Sequence, residues 1–195
     1  MSGKRDRILE SAEREFLLHG FDGTSIDRIV REVGGSKSTV YAHFSDKSVL
    51  FAEVLAAVRT QLDFRLPHHL GEETSSAEER LRLALVELLS VLYRERAVHL
   101  IRLLTAEGHR FPEVVRQFWA EGPAVATEVL AERIGELCRE RGTSSDSVRS
   151  IAERAVAAAT GGRYLQVLLG LGPIPTADEI AALAGECLEL VANAL

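Results

Sequence analysis

With 195 residues, 46% hydrophobic and 27% charged, the chain has the balance of a globular protein with a sizeable core, which excludes a disordered or collagen-like polypeptide. Its formal charge of −6 is unevenly spread: residues 1–50 hold 8 basic and 8 acidic side chains, including all three lysines (Lys4, Lys37, Lys47), while residues 51–195 hold 15 and 21. Cys138 and Cys187 are too few for a disulfide framework, the opening Met1–Glu10 is charged where a secretory leader is apolar, and no run approaches the roughly 20 apolar residues of a membrane span, so the expected setting is the cytoplasm.

Apolar residues recur at three- and four-residue spacing, no stretch alternates, and no proline precedes Pro67, so the chain reads as all-α, with about nine helices. The first spans about Lys4 to His19, with Ile8, Ala12 and Phe16 on one face and Gly20 as its stop. Thr24 and Asp27 form a variant capping box opening a second helix that carries Ile26, Ile29, Val30 and Val33 and ends at Gly34-Gly35. Ser36 caps a third, Lys37 to His43; Ser45 or Asp46 caps a fourth carrying Val49, Leu50, Val54, Leu55 and Val58 toward about Leu66. Ser76 and Glu79 box a long helix with Leu81, Leu85, Leu88, Leu89 and Leu92, and a helix through Val98, Ile101 and Leu104 stops near Gly108. Pro112 and Pro123 begin helices to about Ala120 and Arg141, proline being harmless in a first turn. The last two run from about Asp146 to Leu169 and from Thr176, boxed by Glu179, to the end.

Thr24 to Lys47 has helix-turn-helix spacing: two short helices joined by a glycine turn and leading into a longer one. In that arrangement Val40 and Phe44, at i and i+4, turn inward with Ile29 and Val33 and leave Lys37, Ser38, Thr39, Tyr41 and His43 outward. Hydroxyls and a lysine in a first helical turn suit phosphate oxygens and base edges. The same pattern also fits a three-helix core whose polar surface is merely solvated, and spacing alone does not separate the two.

The segment Arg7–Leu50, RILESAEREFLLHGFDGTSIDRIVREVGGSKSTVYAHFSDKSVL, resembles the N-terminal domain of tetracycline-repressor-type (TetR family) transcriptional regulators. The resemblance is carried by Ala12, Phe16, Gly20-Phe21, Thr24-Ser25, Ile29-Val30, Val33-Gly34, Ser36-Lys37, Tyr41, His43-Phe44 and Lys47. It implies that Thr24, Ser25 and Arg28 approach the phosphate backbone, that Ser36, Lys37, Ser38, Thr39, Tyr41 and His43 enter the major groove or touch its phosphates, and that Lys47 clamps a phosphate. Two positions depart from the family: Gly35 stands where an apolar turn residue is usual, and Ser38 where glycine or alanine is frequent. The implied division is a DNA-binding domain at residues 1–50 and a helical ligand-binding and dimerisation domain at 51–195.

Segment 34–47 holds Lys37, Lys47 and Asp46, a formal +1, so counterion release from one head gives little affinity and two heads are needed. A two-fold dimer presents paired recognition helices to successive major grooves, about 34 Å apart or at a longer family spacing, on a palindromic operator. Ile151, Ala155, Ala159, Gly162, Leu165 and Leu169 form one C-terminal stripe; Ile180, Leu183, Ala184, Cys187, Val191 and Ala194 form another. Periodicity allows both stripes to face their own core, whereas the resemblance implies that they build a four-helix dimer bundle.

The family also implies a variable inducer pocket, and Val98 to Leu137 resembles its AefR-like subgroup. Candidate lining residues are Phe64, Leu89, Tyr93, Leu103, Phe111, Phe118, Trp119, Val125 and Tyr164, although aromatics at helical spacing also serve as plain core. His68-His69, His99 and His109 lack a cysteine or carboxylate to complete a compact set, so neither metal nor cofactor is expected, and both cysteines read as inert packing. The sequence contains no phosphate loop, dinucleotide fingerprint, HExxH or GxSxG, and so no starting residue for catalysis. The expected function is a ligand-responsive DNA-binding repressor with the fourth helix as its lever. The alternatives are a helical small-molecule carrier or scaffold and an enzyme without a recognisable motif; a carrier has no reason to display Lys37, Thr39, Tyr41 and His43 together.

Overall fold

The computed structural model describes residues 3–62, 76–143 and 147–195, which form eleven α-helices and no strand. These are α1 (Lys4–Gly23), α2 (Ile26–Val33), α3 (Lys37–His43), α4 (Lys47–Leu62), α5 (Ala77–Leu92), α6 (Glu95–Glu107), α7 (Pro112–Glu121), α8 (Pro123–Arg141), α9 (Val148–Thr160), α10 (Gly162–Leu168) and α11 (Ala177–Ala192). None of them is long and apolar enough to cross a membrane. Packing groups the chain into two compact units, Met1–Asp63 with His99–Phe118, and Phe64–Val98 with Trp119–Leu195, so the chain passes between units inside α6 and α7.

In the first unit α1 packs on α2 and α4, and α2 on α3. Ile8, Ala12 and Phe16 share one face of α1 and are fully buried, as are Ile29 of α2 and Leu50, Phe51 and Val58 of α4. Each large side chain so buried contributes roughly 1.5–3 kcal/mol. The rings of Phe51 and Phe16 meet edge-on at 5.0 Å, and Phe21 and Phe111 close the cluster at 5.1 and 4.6 Å from Phe51.

Gly20 breaks α1 without ending it: at φ 69° it takes the left-handed conformation that glycine tolerates best, and one further turn reaches Gly23. The break changes the role expected of Thr24. Its backbone N–H donates to Phe21 O at 3.3 Å, and the Gly20 carbonyl left over accepts the Thr24 hydroxyl at 2.7 Å. Thr24 is therefore buried and ties the bend. Ser25 takes the N-cap position of α2 with no side-chain hydrogen bond, and the expected Thr24–Asp27 box does not form.

In the second unit α5 packs on α8 and α11, α8 on α9, and α9 on α10 and α11. Leu81, Leu85, Leu130, Ile134, Ala152 and Ala184 are fully buried, the alanines letting their helices approach closely. Arg80 Nε and Arg133 Nη1 donate to the two oxygens of Glu136 at 2.9 and 2.8 Å. Burial alone would raise the Glu136 pKa, but these two donors outweigh it and the net shift is downward. Gly142, at φ 65°, closes α8, and Thr143 N–H returns to Cys138 O at 2.9 Å. Ser76 and Thr176 cap α5 and α11, Thr176 through a complete box with Glu179.

The helix expected to be continuous through residue 169 is divided. Gly161 ends α9 in an extended conformation and Gly162 starts α10 at φ 39°; a Cβ on Gly161 would lie 3.1 Å from Ala157 O. This division turns one expected helix into two, and the eleven helices among the described residues stay close to the expected count of about nine.

Candidate nucleic-acid interface

The turn between α2 and α3 is built on glycine geometry: Gly34 has φ 71° and Gly35 φ 118°, values that L side chains rarely adopt. A Cβ on Gly35 would also press Thr39 Oγ1 at 3.2 Å. Glycine at the position where the family favours an apolar residue therefore fits this backbone. From α1, Lys4 Nζ donates to Val33 O at 2.8 Å and to Gly34 O, and Arg7 Nη2 donates to Val33 O at 3.2 Å. Two cations thus cover the carbonyl end of α2, where the helix dipole is negative. Neither contact is foreseen from the sequence, where the only signal is a basic cluster opening α1.

Ser36 caps α3 reciprocally: its Oγ accepts from Thr39 N and its own N–H donates to Thr39 Oγ1, both at 3.3 Å. Ser36 Oγ also lies 2.6 Å from Ser38 Oγ, so the three hydroxyls are linked. Val40 and Phe44 are each 1% exposed, while Tyr41 is 43% exposed and Ser36, Lys37, Ser38 and His43 are exposed with it; Thr39 is half-buried. Arg5 stacks over the Phe44 ring, 5.1 Å from its centroid, and seals the inner face.

The flanking candidates have partners of their own. Lys37 Nζ pairs with Asp27 Oδ2 at 3.0 Å, and half-buried Arg28 pairs with Glu15 at 2.9 Å while also donating to Gly23 O. Ser25 is half-buried at the start of α2. Asp46 accepts from Val49 N–H at 2.9 Å and so caps α4, leaving Lys47 as its first residue. Lys47 is half-buried, its Nζ 4.7 Å from the Phe21 centroid. Burial lowers the Lys47 pKa from its ordinary value, Asp22 counteracts that, and Arg110 adds to it.

The expected ligand residues are not gathered at one place. Phe64 lies outside the described residues, as do His68 and His69. Leu89 and Tyr93 line a cavity of about 120 Å³ in the second unit, and Tyr164 meets Tyr93 edge-on at 5.4 Å. Val125 packs against that unit's core. Leu103 is buried in the first unit, Phe111 belongs to the Phe21–Phe51 cluster, and Trp119 is 63% exposed. Phe118 borders a groove of about 190 Å³ between α4, α6 and α7, with Leu55, Ala56, Arg59, Leu100, Leu104 and Gln117.

Most residues of the expected dimer stripes face the core of their own chain. Ile151, Ala155, Ala159, Ile180, Ala184, Cys187 and Val191 are all buried in their own chain, and Leu183 and Ala194 pack against the same core. They are the inward face of α9 and α11. Of the stripe only Gly162, Leu165 and Leu169 are exposed, the two leucines at 52% and 64%, and Leu190 of α11 joins them at 57%.

Comparison with known proteins gives the same reading. Residues 8–54 match bacterial regulatory proteins of the tetR family, and residues 79–194 match the C-terminal domain of AefR-like transcriptional repressors. The HTH-type transcriptional repressor SCO4008 of Streptomyces coelicolor is 31% identical over 143 residues, 73% of this chain and 68% of the relative. Among solved structures, a TetR-family regulator from Mesorhizobium loti superposes with a TM-score of 0.79 at 26% identity, covering 98% of this chain and 96% of the other. The flavonoid-responsive regulator FrrA superposes at 0.72 with 29% identity and the same coverage. The chain belongs to the tetR family of bacterial regulatory proteins and is a DNA-binding transcriptional regulator.

Proposed function

We propose that the protein is a cytoplasmic repressor that holds a palindromic operator as a homodimer and releases it when a small molecule binds. The single observation that carries this reading is the two-sided character of α3: Val40 and Phe44 anchor it while Lys37, Ser38, Tyr41 and His43 face outward. Ser36 and Thr39 shape its first turn, and Ser25, Arg28 and Lys47 flank it within reach of phosphates; Thr24 acts indirectly, by fixing the bend before α2. Residues 1–50 form the DNA-binding part and 51–195 the part that binds ligand and partner. Exposed Leu165, Leu169 and Leu190 supply the dimer surface, because three large apolar side chains more than half exposed gain most from a second copy.

The groove between α4, α6 and α7 is the favoured inducer site. Its volume of about 190 Å³ is below the roughly 300 Å³ at the small end of ligand sites, so an effector that fills it pushes α4 away from α6 and α7. Lys47 at the head of α4 moves with it, and a coupling of about 1–3 kcal/mol lowers operator occupancy several-fold to a hundred-fold. The flavonoid response of FrrA supports an aromatic effector.

The test is to select binding duplexes from random DNA with the full chain, then titrate aromatic effectors into gel shifts of the selected duplex. Enrichment of an inverted repeat, with release by at least one effector, is the expected outcome. Failure to enrich any sequence would overturn the regulator reading.

A further inference from the structure

At the junction of α1, α4 and the α6–α7 turn, Arg110 pairs with Asp22 and shares the Phe21 ring with Lys47. Arg110 Nη1 lies 3.0 Å from each oxygen of Asp22 and 3.2 Å from Glu107 Oε2. Its guanidinium carbon sits 4.5 Å from the centroid of the Phe21 ring, and Lys47 Nζ sits 4.7 Å from the same centroid. The next residue, Phe111, anchors the turn on Phe21 at 5.2 Å and on Phe51 at 4.6 Å. Asp22 attracts both cations, and Arg110 holds it by direct hydrogen bonds. Among the described residues Lys47 makes no ion pair; its ammonium lies over the Phe21 ring and is attracted by Asp22 and Glu107 without direct contact.

We infer that Arg110 is a positioning residue for DNA binding, which keeps Asp22 occupied so that the Lys47 ammonium stays available to a phosphate. This rests on Lys47 being a phosphate contact, as proposed above. Asp22 and a phosphate compete for the same ammonium. Freed of Arg110, Asp22, whose side chain is 80% exposed, attracts the half-buried Lys47 ammonium as a surface pair does, enough for a several-fold effect on each head. A lysine paired with Asp22 must break that pair before it reaches a phosphate, and the counterion-release gain of that contact is lost. Arginine suits this position, since its guanidinium remains charged at every working pH, and one face can lie on Phe21 while its edge meets Asp22. Glu107 on the same turn supplies a second acceptor for the arginine.

The experiment measures the salt dependence of binding to a duplex selected by the wild-type full chain, for Lys47→Ala, Arg110→Gln, the double variant Lys47→Ala/Arg110→Gln, and Asp22→Asn/Arg110→Gln. Lys47→Ala is expected to reduce the slope of log Kobs against log[salt] by roughly 2 per dimer, one contact per head. Arg110→Gln should reproduce most of that reduction, with an affinity loss of about ten-fold at moderate salt. Combined with Lys47→Ala it should add little, and Asp22→Asn should restore the slope. A wild-type slope in Arg110→Gln, or losses that add fully in the double variant, overturns the inference, since additivity would mean that Arg110 acts through net charge or its own contact. If Lys47→Ala itself leaves the slope unchanged, the reading of Lys47 as a phosphate contact fails instead. Circular dichroism of each variant separates these outcomes from unfolding.

Discussion

Lys37, the first residue of α3, holds its ammonium 3.0 Å from the carboxylate of Asp27 on α2, with both side chains more than half exposed. The pair is worth at most about 1 kcal/mol, so the DNA can exchange Asp27 for a phosphate at little cost. Asp27 nevertheless places a negative charge beside the groove. Asp27→Asn is expected to raise affinity for a selected duplex several-fold at low ionic strength, with the gain shrinking toward zero above about 0.5 M salt as screening sets in. Fluorescence anisotropy across a salt series measures both parts.

Tyr41 is 43% exposed, beside the face on which Val40 and Phe44 are buried, and so contributes little to the core. Tyr41→Ala should therefore leave the melting temperature almost unchanged and abolish sequence-selective retention in gel shifts. Loss of a base or phosphate contact on each of two heads costs roughly 2–6 kcal/mol per dimer, enough to remove discrimination over bulk DNA. Phe44→Ala should do the reverse of this on the stability axis, destabilising the head by roughly 3–5 kcal/mol because Phe44 is fully enclosed.

The C-terminal helices separate association from folding. Leu190→Glu changes a residue 57% exposed and should convert a dimer to a folded monomer in sedimentation velocity. Ile151→Ala changes one that is 4% exposed; it should lower stability by roughly 2–5 kcal/mol whatever the oligomeric state. The opposite pattern, dissociation by Ile151→Ala and unfolding by Leu190→Glu, would reverse the assignment of faces.

These helices also mark the limit of what the sequence discloses. Small residues at Ala155, Ala159 and Ala184 suit close helix packing, yet spacing does not say whether the neighbour is another helix of the same chain or of a second one; here it is the same chain. The head is more legible because its signals are local: Gly34-Gly35 must turn, Ser36 must cap, and Val40 with Phe44 must share a face. Thr24 misleads because its capping chemistry is real but is claimed by the Gly20 carbonyl, which the break in α1 leaves unpaired. The ligand residues are least legible, since an aromatic at helical spacing fills a core as readily as it lines a cavity, and Phe111 does the former.

Acid should weaken the fold through specific carboxylates. The Ser11 hydroxyl, 2.6 Å away, and the Arg14 guanidinium hold Glu32 below the usual carboxylate range, and Arg163 with the Thr176 backbone holds Glu179 at about 2. Each folded-state pKa lies below the ordinary 4.5, so the stabilisation is complete above that value and drains away as pH falls through the folded-state pKa, which for Glu179 is about 2. Urea midpoints between pH 7 and pH 2 should decline over that window, and Glu179→Gln should flatten part of the decline.

Two copies of α3 are expected to enter successive major grooves of one operator, and hydroxyl-radical footprinting of the selected duplex reads this out on the DNA itself. Two protected patches related by a dyad, lying on one face of the DNA and both lost in Tyr41→Ala, are the predicted result. A single asymmetric patch, or protection that survives Tyr41→Ala unchanged, would contradict it.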